Sequence, residues 1–129
     1  MKNIIIVEDD KSMQAVYRVY FKDQTGKYNV EFADNGMVGY KKIHAIAYDL
    51  IVLDMVMKDM PGDSLFAVVD FDTKNKETPV IVISVLSRSD AGVEYILERK
   101  NTDYLKKPIT KEQLFEKIKY MLTDKSGDK

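Results

Sequence analysis

Short apolar runs alternate along the chain with stretches in which apolar residues recur at helical spacing. Ile4 to Val7, Leu50 to Leu53 and Val80 to Ile83 are unbroken apolar runs rich in β-branched residues. Runs of that length without alternation predict strands buried on both faces, as in a parallel sheet. Tyr28 to Phe32 alternates weakly and Tyr104-Leu105 is shorter still; both are predicted strands. Between them, Met13, Val16, Tyr17 and Tyr20 predict one face of a first helix. Gly39, Tyr40, Ile43 and Ala47 line a second, and Leu65, Phe66 and Val69 a third over about 63–71. Val93, Ile96 and Leu97 point inward from a fourth over about 89–99. The fifth is the best defined. Thr110 and Gln113 form a capping box, Ile109 and Leu114 occupy staple positions, and Leu114, Ile118, Met121 and Leu122 make the apolar stripe.

Five strands alternating with five helices predict an α/β fold: one parallel sheet, right-handed crossovers and helices on both faces. Periodicity leaves the strand order open, and 2-1-3-4-5, the flavodoxin-like order, is the commoner choice for five strands. One domain is expected over 1–123, followed by a polar, frayed tail over 124–129. With 45% hydrophobic residues the chain can bury a core unaided, and no run approaches a membrane span. A net charge of −1 leaves no footprint for nucleic acid. The absence of cysteine excludes a disulfide framework and fits a reducing, cytoplasmic compartment. No Gly-x-Gly-x-x-Gly follows the first strand, which argues against a dinucleotide enzyme.

The chemistry lies where the strands end. The first ends in Glu8-Asp9, the third in Asp54, the fourth in Ser84, and Lys107 follows the fifth. Taken singly, each has a bland explanation as a cap, a turn residue or a surface lysine. In a parallel sheet, though, all of them emerge at one edge, where ligands of such sheets bind. Three carboxylates crowded together repel one another, and Mg²⁺ with oxygen ligands resolves that repulsion. Lys107 can pair with Asp54 or with a phosphoryl oxygen, and the Ser84 hydroxyl can donate to the same oxygen. Together they are equipment for phosphoryl transfer to an aspartate.

From Asn3 to Leu122 the sequence resembles the receiver domain of two-component response regulators. The acidic pair of that family corresponds to Glu8 and Asp9 in Ile-Ile-Ile-Val-Glu-Asp-Asp, and its phosphoacceptor to Asp54 in Leu-Ile-Val-Leu-Asp. Its hydroxyl switch residue corresponds to Ser84, its lysine to Lys107 in Leu-Lys-Lys-Pro, and its aromatic switch position to Tyr104. The resemblance implies phosphoryl transfer to Asp54 from a sensor histidine kinase or phosphotransfer protein. It implies Mg²⁺ held by Asp9, Asp54 and the Val56 carbonyl, with Glu8 helping through water. It further implies a switch of the face formed by the fourth helix, fifth strand and fifth helix, for a downstream partner that the sequence does not name, and it leaves open a homodimer through that face. The chain would then be no turnover enzyme: it phosphorylates and slowly dephosphorylates itself, with Val56 and Leu86 flanking the approach of water. Three positions depart from the family pattern. Lys58 replaces a proline and is expected to add a cation and free its loop. Val85 replaces a small residue and narrows the approach to Asp54. Asn101-Thr102 replaces a Gly-Ala.

Two other readings compete. A receiver-like interaction module that works without phosphorylation would not need all the reactive positions filled. A phosphatase resembling the haloacid dehalogenase family would need a second Asp where Val56 stands, and a cap domain. His44 is expected at the surface and the seven methionines as core and loop filler. For Tyr104 the blander reading is a packed core aromatic, and the family match favours the switch role.

Overall fold

The computed structural model describes residues 1–72 and 74–123; the predicted polar tail lies outside them. Each apolar run becomes a strand: β1 (Lys2–Val7), β2 (Tyr28–Ala33), β3 (Leu50–Leu53), β4 (Val80–Ser84) and β5 (Thr102–Lys106). All pairings are parallel and the order is β2-β1-β3-β4-β5, the flavodoxin-like order. The helices are α1 (Lys11–Phe21), α2 (Gly36–Ala45), α3 (Gly62–Phe71), α4 (Ala91–Leu97) and α5 (Lys111–Leu122).

Successive strand residues point to opposite faces, and both faces are covered. Ile4, Ile6, Leu50, Val52, Ile81 and Ile83 pack under α1 and α5, against Tyr17, Leu114 and Ile118. Ile5, Val7, Ile51, Leu53, Val80 and Val82 pack under α2, α3 and α4, against Ile43, Phe66 and Ile96. Burying each such side chain stabilises the fold by roughly 1.5–3 kcal/mol, so the strand ends are held on a rigid support. Among the described residues no helix is long and apolar enough to cross a membrane.

Three helices differ from expectation. On α1 the inward position between Met13 and Tyr17 belongs to Gln14, which is buried, while Val16 is exposed. Helix α2 stops at Ala45 and leaves Ala47 outside it, exposed. The cause is Asn75 of the α3–β4 connection. Its amide donates to the carbonyls of Ile43 and Ile46, and its oxygen accepts from Tyr48 N. Those contacts supply the partners that helix ends need and turn the chain out. Helix α4 is shorter than 89–99 because Asp90 is its cap, accepting from the backbone N–H groups of Gly92 and Val93. The capping box of α5 forms as predicted. Asn101 adopts a left-handed conformation with φ 63°. This explains one departure in the sequence: where glycine is usual, asparagine is the side chain that best tolerates that region.

Candidate functional site at the carboxyl edge of the sheet

Parallel strands bring their carboxyl ends to one edge, and the predicted residues meet there. Lys107 follows β5, and its backbone N–H donates to the Ser84 carbonyl at 2.9 Å. Its side chain reaches across to β1 and β3: Nζ lies 2.8 Å from Glu8 Oε1 and 3.2 Å from Asp54 Oδ2. Glu8, Asp54 and Ser84 are buried and Asp9 is half-buried. Glu8, Asp9 and Asp54 each offer an oxygen within 4.8 Å of the others. The next acid, Asp10, donates its backbone N–H to Glu8 Oε2 at 3.2 Å, while its carboxylate caps α1 by accepting from Ser12 N.

The electrostatics follow from burial. Burial pushes the Glu8 carboxyl up to about 7, and the nearby Asp54 charge adds to this; the hydrogen bond from Lys107 works against it. Burial also disfavours the Lys107 ammonium, but the Glu8 hydrogen bond and the charges of both acids outweigh it and hold its pKa above the usual lysine value. One cation thus serves acids on two strands. The remaining negative charge asks for a further cation. The donors are hard carboxylate oxygens, which suit Mg²⁺. His44 takes no part: it is exposed on α2, stacked on Tyr40, with Nδ1 3.1 Å from Asp72.

Ser84 and Tyr104 are joined through one loop residue. The Ser84 hydroxyl accepts from Leu86 N at 3.2 Å, and the Tyr104 hydroxyl donates to the Leu86 carbonyl. Tyr104 is half-buried, packed against the core, with the Arg88 guanidinium over its ring. Val56 donates its N–H to Asp54 Oδ1 at 3.3 Å while its side chain is exposed. Leu86 is partly buried against the core, and Val85 is exposed.

The loop from Asp54 to Pro61 is not free, contrary to the expectation drawn from Lys58. Lys58 N donates to Asp9 Oδ2 at 2.9 Å, and Asp59 accepts from Gly36 N and Met37 N at the start of α2. At its far end Gly62 sits so close that a Cβ would lie 2.4 Å from the Asp54 carbonyl oxygen. Sequence reasoning missed two further contributors. Gln14 donates to the Glu8 carbonyl at 2.7 Å and to Asp34 at 2.9 Å, fixing the chain that leads from Glu8 into α1. Its signal was available, because Gln14 shares a helix face with Tyr17 and Phe21. Asp59 carried no comparable signal, since its partners lie 22 and 23 positions away.

The family model of the response regulator receiver domain matches residues 4–119 of the chain. The chain is 29% identical over 124 residues to the chemotaxis protein CheY of Pseudomonas aeruginosa, covering 96% of this chain and 98% of that protein. It is 29% identical over 125 residues to the response regulator ArlR of Staphylococcus saprophyticus. That match covers 95% of this chain and 53% of ArlR, so the chain spans about half the length of that relative. Among solved structures, a CheY-like receiver domain protein from Methanospirillum hungatei superposes with a TM-score of 0.83 at 22% identity, covering 100% of this chain and 99% of that one. The receiver domain of a sensor histidine kinase from P. aeruginosa, solved with a magnesium ion coordinated in its active site cleft, superposes with a TM-score of 0.81 at 21% identity. It covers 94% of this chain and 97% of that one. At these identities the two structures establish a shared fold.

Proposed function

The chain belongs to the response regulator receiver domain family, and we propose that it is a phosphorylation switch with Asp54 as the phosphoacceptor. The observation that carries this reading is the convergence on Asp54 of a shared cation from β5 and two further acids from β1. An interaction module that dispenses with phosphorylation has no use for such a cluster, which is costly to bury.

On this reading an Asp54 carboxylate oxygen bonds to phosphorus as the bond from phosphorus to a donor histidine nitrogen breaks, and the leaving imidazole takes up a proton. The donor is a sensor histidine kinase or a phosphotransfer protein. Lys107, already beside Asp54, offsets charge on the phosphoryl oxygens. The Ser84 hydroxyl, which here only accepts from Leu86 N, has its own proton to donate to one of them. Glu8, Asp9, Asp54 and the Val56 carbonyl are the groups that would hold Mg²⁺. That ion supplies the positive charge three clustered carboxylates lack.

Drawing Ser84 toward a phosphoryl group disturbs its bond with Leu86, and Leu86 in turn holds Tyr104. The signal then reaches the α4–β5–α5 face, where Tyr95 and Tyr120 are exposed, and biases an existing equilibrium there. A downstream partner or a second copy of the chain reads that face. The chain acts in the cytoplasm, as a switch rather than a turnover enzyme.

The test is covalent. Incubation of the chain with acetyl phosphate and Mg²⁺ should add one acid-stable, base-labile phosphoryl group by mass spectrometry. Chelating the metal should abolish it. Undiminished modification in Asp54→Asn would sink the assignment.

A further inference from the structure

The first four N–H groups of an α-helix have no partner within the helix. In α2, the first bond within the helix is Gly39 N to the Asn35 carbonyl, which leaves the N–H groups of its first three residues to find other partners; one is served locally, Val38 N donating to the Asn35 side chain. The other two, Gly36 N and Met37 N, donate to the two oxygens of Asp59, each at 2.9 Å. Asp59 belongs to another element, the loop between β3 and α3. These N–H groups hold its carboxyl below the usual aspartate range. Gly36 makes the approach feasible, because a Cβ there would lie 2.3 Å from Met60 Cγ and 3.3 Å from Asp59 Oδ1.

The neighbouring residue faces the carboxylate cluster. Lys58 N donates to Asp9 Oδ2 at 2.9 Å. A proline at position 58 could not make this bond, since it has no N–H. The loop is thus fixed at its base by Gly62 N, which donates to the Met55 carbonyl at 2.9 Å, and at its crest by Asp59. Between those points it presents one backbone donor to Asp9.

We propose that Asp59 is a positioning residue for the metal-binding carboxylates: by pinning the β3–α3 loop to the start of α2, it sets the Lys58 N–H against Asp9 and fixes that carboxylate's orientation. The inference rests on the reading that Mg²⁺ binds at Glu8, Asp9 and Asp54. Carboxylates that ligate metals are themselves oriented by hydrogen bonds, and losing such a partner typically costs about 10–100-fold in metal affinity. Asp59 acts one step further out, through Lys58, so its loss should cost less, about fivefold or somewhat more.

The experiment is a calorimetric Mg²⁺ titration of the full chain, with urea unfolding run in parallel. Binding by the unaltered chain tests the site itself, and the variant-to-parent ratio tests the role of Asp59. Asp59→Ala should weaken Mg²⁺ binding about fivefold or more. Asp59→Asn, which keeps an acceptor oxygen for α2, should stay within about twofold. Lys58→Pro should weaken binding while Lys58→Ala does not. This second pair leaves Asp59 in place and decides the matter should Asp59→Ala fold poorly. An Asp59→Ala chain that is less stable in urea yet binds Mg²⁺ as tightly as its parent would reduce Asp59 to a helix cap. Equal weakening by Asn and Ala would assign the effect to charge instead of hydrogen bonding. Equal binding by Lys58→Pro and Lys58→Ala would show that the Lys58 N–H is idle. Each of these results overturns the proposal, and a parent chain that binds no Mg²⁺ overturns it together with the reading of the site.

Discussion

Replacing Glu8 by Gln should stabilise the metal-free protein, and by an amount that depends on pH. Glu8 is 1% exposed, and burial raises its carboxyl from 4.5 to about 7. Between those values the folded state holds a proton that the unfolded state has released. Stability from this group is therefore present at low pH, falls as pH rises through that window, and is gone above it. The ceiling on the loss is about 3 kcal/mol at pH 8 and under about 1 kcal/mol at pH 5. Glutamine imitates the protonated carboxyl: it has the same shape, no charge, and an amide oxygen that can still accept from Lys107. The Glu8→Gln chain should accordingly gain little over its parent at pH 5 and about 1–3 kcal/mol at pH 8.

The assay is urea unfolding at both pH values in excess chelator, compared at equal slopes. Adding Mg²⁺ should reverse the order at pH 8, because the parent gains stability by binding while the variant has lost a carboxylate. A stability difference that does not change between pH 5 and pH 8, or a variant less stable than its parent at pH 8 in chelator, would refute the reasoning. Either result would mean that Lys107 compensates Glu8 fully and that burial does not leave the site short of positive charge.

Gly62→Ala should cost about 1–3 kcal/mol, because its Cβ would meet backbone, the Asp54 carbonyl oxygen at 2.4 Å and Met55 Cα at 2.8 Å, neither of which can swing aside. Urea unfolding measures the loss, and the rate of phosphorylation by acetyl phosphate should fall with it as Asp54 is displaced. Val56→Asn should speed phosphoryl loss from Asp54 several-fold under fixed Mg²⁺, since an exposed amide can orient an attacking water where valine cannot. Leu86→Glu should act in the same direction, but Leu86 packs against the core, so the single Val56 variant is the cleaner measurement.

The sequence was legible where physics is local and illegible where contacts are distant. Apolar runs such as Leu50 to Leu53 announce buried strands because both of their faces must be covered, whatever covers them. Strand ends then inherit their neighbourhood from topology, which is how Glu8, Asp54, Ser84 and Lys107 could be grouped before any distance was known. Helix boundaries followed the periodicity only where no distant group intervened. The capping box of α5 is made within four residues and was readable, whereas the end of α2 is set by Asn75, 32 positions beyond Ile43.

Lys58 shows how a single substitution can be misjudged by composition. Losing a proline from a loop removes a stiff φ and, seen alone, loosens the chain. The same change restores a backbone N–H, and here that N–H has an acceptor in Asp9, while the next residue has two donors waiting at the start of α2. Whether such a substitution loosens or anchors is decided by partners on other elements. For that reason the loop beside Asp54 is better understood as a third wall of the site, built from backbone donors, than as a connection between β3 and α3. That anchoring also bears on the switch proposed above. With the β3–α3 loop pinned on one side of Asp54, the proposed switch would leave movement to the other side, where Leu86 links Ser84 to Tyr104 by one hydrogen bond each.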